Sequence, residues 1–188
     1  MLAYFTIQSN FFVAVALMGD IAYTLKGKEQ SSWFVIFRSG ATLCIILTGL
    51  VYHILLSPIH HAVGVFIYPN VGLHYIAPIG MFLDWLLFEK KGQYRYRYAL
   101  VWLVYPTLYA LGSMLRGSID GFFPYWFVNP WGQYPYGTGG LLPMLELYVG
   151  ISLIFYLLGM LMIITDKLIA GFHLQPLQEV EQDKSLLE

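Results

Sequence analysis

The sequence predicts an all-α membrane protein, a polytopic helical bundle with five transmembrane helices. Three observations carry this. Of 188 residues, 58% are hydrophobic, 18% aromatic and only 11% charged, a balance far from that of a soluble domain. The apolar residues fall into five runs of about 20 residues, the length that crosses a hydrocarbon core of roughly 30 Å. A membrane barrel would show alternating segments of about ten residues and these runs do not alternate, so helices are the expected spanning element.

The first run, Tyr4 to Leu25, opens with the stretch YFTIQSN, which sets Thr6, Gln8, Ser9 and Asn10 at the mouth of an otherwise apolar helix. No basic region or small-residue cleavage site precedes it, so it reads as a retained span rather than a removable signal. The second run, Phe34 to Leu56, holds Cys44, the single cysteine; it can form no internal disulfide or paired-cysteine motif and reads as a small core residue. The third, Val71 to Phe88, carries His74, Pro78 and Asp84. Pro78 lacks an amide proton, which frees the carbonyl of residue 74 and predicts a kink beside the imidazole. Asp84 lies about 15 Å deeper and about 80° around the helix from His74, so it is expected to pair with another group inside the bundle. The fourth run, Tyr98 to Leu115, places Tyr105, Tyr109 and Gly112 along one face that continues to Arg116 just past its end. The fifth, Leu142 to Ile164, carries Glu146 near its start. Residues 1–172 read as one bundle and 173–188 as a polar, frayed cytoplasmic tail.

Basic residues orient the bundle. Lys26, Lys28 and Arg38 flank the first loop, Lys90, Lys91, Arg95 and Arg97 fill the third, and Lys167 and Lys184 follow the last helix. By the positive-inside rule these regions and the C-terminus are cytoplasmic, and the N-terminus and the second and fourth loops face outward. The outer loops, SPIHHAVGVFIYPN and GSIDGFFPYWFVNPWGQYPYGTGG, are rich in aromatics and proline; they suit a headgroup belt or a lid packed on the bundle.

Each helix then contributes a polar group to the outer leaflet: Thr6, Gln8 and Asn10, His53, His74, Tyr105 and Tyr109 leading to Arg116, and Glu146. Ionisable groups in a membrane usually face the bundle interior or line a polar cavity. Threonine with histidine is the minimum for nucleophilic acyl transfer, and Gln8, Asn10, Arg116 or a tyrosine hydroxyl could supply oxyanion donors. Other readings stand beside it: helix-start and helix-gluing roles for Thr6, Gln8 and Asn10, and an interfacial ion pair of Arg116 with Glu146 or Asp120. A non-enzymatic carrier would bind a polar ligand or relay protons through Arg116, Glu146 and His74. Haem or metal ligation by His53, His60, His61 and His74 lacks the usual motif spacing, and neither G-x-S-x-G nor H-E-x-x-H occurs.

YFTIQSN, LHYIAPIGMFLDWLLF and RGSIDGFFPYWFVNP together resemble the bacterial branch of the androgen-induced protein family, whose animal members include the androgen-dependent TFPI-regulating protein. The resemblance runs over nearly the whole chain in the same order. It implies a transmembrane threonine hydrolase acting on esters of fatty acids with hydroxy fatty acids, with Thr6 as nucleophile and His74 as its partner. It also implies six helices, one ahead of the threonine motif, where this sequence has five; a first helix absent from this chain would leave the orientation unchanged. The expected setting is the plasma membrane, with a lipid or fatty-acid ester substrate, bilayer lipids around the bundle, no nucleic acid, no cofactor or metal, and homo-oligomers left open.

Overall fold

The computed structural model describes the backbone of residues 2–185 and the side chains of residues 2–172. Among the described residues it is all-helical, and five helices are long and apolar enough to cross a membrane: α1 (Phe5–Leu25), α2 (Ser32–Leu56), α3 (Gly64–Phe88), α4 (Tyr98–Asp120) and α5 (Leu141–Ser185, its membrane-crossing candidate being Leu141–Phe172). The polar segment that begins at His173 therefore continues the backbone of α5.

α2 is the central helix, touched by each of the other four. Its hydroxyls are satisfied within the helix, where Ser39, Thr42 and Thr48 donate to the carbonyls of Val35, Arg38 and Cys44 four residues back. Leu43, Leu47, Trp85, Tyr98, Trp102 and Phe155 form the core around it. Gly159 lets α5 close on this core, since a Cβ there would stand 3.2 Å from both Leu43 and Trp102. Cys44 is buried, as expected. The outward faces of α4 and α5 are leucine-rich and exposed, among them Leu108, Leu111, Leu153 and Leu157, the surface a bilayer solvates.

α3 starts at Gly64 instead of Val71, with a short 3-10 turn over Gly64–Phe66. Much of the segment read as an outer loop is thus helix, because Pro69 falls early enough in it to lose little hydrogen bonding. Ahead of Pro78 the helix widens into a π-turn over Gly72–Ile76, the local device that absorbs the missing amide. α2 ends in a similar turn, Tyr52–Leu56. The two helices meet closely there: a Cβ on Gly49 would stand 3.1 Å from the carbonyl oxygen of His74 and 3.0 Å from Pro78.

At the other end Arg38 is buried and holds three carboxylates, Asp20 of α1 at 2.6 Å, Asp84 of α3 at 2.5 Å, and Glu89 just after α3. Asp84 therefore has the interior partner its position called for, whereas Arg38 is a buried clamp and not a loop-flanking cation. Tyr94 donates its hydroxyl to the other oxygen of Glu89 at 2.8 Å. Asp166 of α5, fully buried, accepts the amide of Tyr94 at 3.1 Å and so ties the loop after α3 to α5.

Burial pushes the Glu89 carboxyl up to about 7 from its ordinary 4.5, against the pull of Arg38, Tyr94 and Lys91. A raised acid binds more protons in the folded than in the unfolded state, so its contribution is complete below pH 4.5 and is lost as pH rises to about 7. Thermal unfolding in detergent at pH 5 and pH 7.5 is expected to show higher stability at the lower pH by about 1–3 kcal/mol. Glu89→Gln should flatten that dependence; an unchanged slope would assign it to another group.

Candidate active site

The site is built where α1 begins. Tyr4 is extended and no side chain caps the helix, so the first amides need partners from elsewhere. Two tyrosine hydroxyls supply them. The amide of Phe5 donates to Tyr109 of α4 at 3.1 Å, and that of Thr6 donates to Tyr125 at 3.2 Å. Tyr109 passes its own proton to the Ala3 carbonyl. The start of α1 is thereby fixed against both α4 and the loop between α4 and α5.

Thr6 is buried, and its hydroxyl has two side-chain neighbours. His74 Nε2 lies 3.3 Å from Oγ1, and the Tyr125 hydroxyl is also 3.3 Å away. The other ring nitrogen of His74 faces the Asn70 carbonyl at 3.0 Å. A carbonyl only accepts, so Nδ1 carries the proton and Nε2 presents its lone pair to the threonine. Tyr52 stacks on the imidazole with ring centroids 3.8 Å apart, and Asn70 donates its side-chain amide to the Tyr52 hydroxyl at 2.6 Å. The ring is held in plane by one neighbour and in tautomer by another. Burial raises the Tyr125 phenol above its ordinary value, so this hydroxyl keeps its proton at neutral pH.

Next to Thr6 lies a narrow cavity of about 80 Å³, whose walls include Phe5, Leu47, Val51, Ala110, Phe127 and Phe155, with Thr6 and Tyr125 among its few polar contributors. It offers a nucleophile apolar surroundings on the side where a hydrocarbon substituent would sit.

The remaining residues singled out in the sequence do not converge here. Gln8 is two positions from Thr6 and therefore on the opposite side of α1; it accepts from Tyr105 and donates to the Leu2 carbonyl at 2.6 Å. Gln8, Tyr105 and Arg116 line a surface groove outside the cavity, and Tyr109 lies between the two, lining both. Asn10 spends its amide on the carbonyls of Thr6 at 2.8 Å and Leu73 at 3.3 Å, so it bridges α1 to α3 beside His74 and is no oxyanion donor. Arg116 pairs with Asp120 at 2.9 Å on an exposed face, which adds little stability. Glu146 is exposed, in a groove between α2 and α5. His53 meets Tyr75 at 3.2 Å. Among the described residues no group of three histidine, cysteine or carboxylate side chains is placed to hold a metal.

Tyr125, Tyr52 and Asn70 were not legible as site residues. Tyr125 is one ring in the aromatic outer loop, read as belt or lid, and its loop does pack its hydroxyl onto Thr6. Asn70 meets His74 through its backbone carbonyl, which no residue type announces.

No family model, curated protein or solved structure matches the chain.

Proposed function

We propose that the protein is a transmembrane threonine hydrolase of lipid-like carboxylic esters, oriented with Thr6 and His74 toward the outer leaflet of the plasma membrane and its C-terminus in the cytoplasm. The observation that carries this reading is the Thr6–His74–Asn70 relay, 3.3 Å and 3.0 Å between successive members. The likeness to the androgen-induced protein family points to the same two side chains. His74 Nε2 takes the Thr6 proton as Oγ1 attacks the ester carbonyl carbon, whose π electrons move to its oxygen. The resulting oxyanion is stabilised by the Tyr125 hydroxyl and the positive end of α1. Collapse expels the alcohol, which leaves with the proton from His74. Water, deprotonated by His74, then attacks the acyl-threonine; the fatty acid departs and Thr6 recovers its proton. The cavity of about 80 Å³ beside Thr6 has room for the first few carbons of an acyl chain next to the carbonyl.

A serine/threonine-directed fluorophosphonate is expected to label the purified protein on Thr6, and Thr6→Ala to abolish labelling with an unchanged melting profile. A wild-type protein that takes no label, or a Thr6→Ala variant that still does, overturns the reading.

A further inference from the structure

The cavity beside Thr6 is separated from the bilayer by a thin partition. A groove of about 460 Å³ runs down the outside of the bundle between α2 and α5, and Leu47, Val51 and Ile151 line both the groove and the cavity. Val51 and Ile151 are only half-buried, as expected of side chains seen from both sides. The groove has a physical origin in the crossing of the two helices. Gly159 brings α5 tightly onto Leu43 of α2, whereas nearer the outer end Gly150 has nothing within 4 Å of where a Cβ would stand. The helices touch at one level and part above it.

From Pro143 to Ile154, both in its wall, the groove extends about 16 Å at 1.5 Å per residue, which suits an extended acyl chain. Its walls are apolar apart from Glu146, an exposed carboxylate among leucines, isoleucines and Pro143.

From this continuity we propose that the groove between α2 and α5 is the lateral portal through which the acyl chain of a lipid ester passes from the bilayer to Thr6, with Val51 and Ile151 as its door. The proposal rests on the hydrolase reading above and gives it a route.

Two experiments test it. A long-chain acyl ester carrying a diazirine on its chain is photolysed with the Thr6→Ala protein in bilayer vesicles, and the modified peptides are mapped. Crosslinks are expected on the α2 segment 47–55 and the α5 segment 143–154; crosslinks confined to other helices overturn the portal. This readout needs no turnover, so its failure is distinct from failure of the hydrolase. In the second, Gly150→Trp fills the open groove without meeting the core, and Gly80→Trp, where a Cβ also meets nothing within 4 Å, puts the same bulk on α3 outside the groove. The preference for a long-chain over a short, water-soluble ester is expected to fall roughly tenfold in kcat/KM for Gly150→Trp and to stay at the wild-type value for Gly80→Trp. Equal preferences in both variants and the wild type overturn the portal, while loss of turnover on both esters in Thr6→Ala keeps the nucleophile assignment standing.

Discussion

His74→Ala is expected to lower ester turnover by about 10²–10⁴-fold, the contribution of a positioned general base, while the bundle stays folded. The imidazole is half-buried and its main packing partner is the Tyr52 ring, so its removal costs one stacking contact and no interhelical ion pair. The effect should fall on kcat with little change in KM, because the ring meets the reacting hydroxyl and does not line the acyl cavity. Fluorophosphonate labelling should slow by a similar factor, since the same proton transfer activates Oγ1. Turnover and labelling that both persist at wild-type rates would remove His74 from the chemistry.

Arg38→Ala is expected to destabilise the bundle by about 3–5 kcal/mol, the cost of breaking a buried ion pair by removing one partner. The guanidinium is 4% exposed and bonds Asp20, Asp84 and Glu89 at once, so its loss leaves three carboxylates facing one another around a void. Arg38→Lys keeps the charge but not the planar fork that reaches several carboxylates together, and should recover only part of the loss. Detergent thermal unfolding measures both. The cluster lies at the end of the bundle opposite Thr6, so the fraction of Arg38→Ala that remains folded should react with fluorophosphonate as the wild type does. A variant as stable as the wild type would mean that water already solvates the cluster.

The five spans were legible because span length and composition are set by bilayer thickness, which acts on each helix separately. What failed was local: Pro69 and Asn70 read as turn residues, but the first turns of a helix tolerate proline and α3 begins at Gly64. Level along the helices was legible too: Thr6 and Asn10 of α1 meet His74 and Leu73 of α3 at one end of the bundle. Azimuth was not. Gln8 and Thr6 are two positions apart and face opposite ways, and Arg116 and Glu146 lie on exposed faces of separate helices. Which faces turn inward depends on how helices 68 residues apart pack, as for Thr6 and His74. The Asp84 partner was foreseeable as a charge inside the bundle, yet Arg38 itself looked like a loop cation because it sits only a few residues into α2.

The Arg38 clamp also bears on how the chain reaches its place in the membrane. A lone arginine or aspartate within a helix disfavours insertion by about 2.5–3.5 kcal/mol at mid-bilayer. Asp20 and Arg38 lie eighteen residues apart across the hairpin of α1 and α2 and meet at 2.6 Å. If α1 and α2 leave the translocon as a pair, each charge is already neutralised by the other, before α3 has been synthesised. Asp84 and Glu89 then arrive to a preformed guanidinium, which selects the register in which the third helix docks. On that route the cluster that stabilises the finished bundle also guides its assembly.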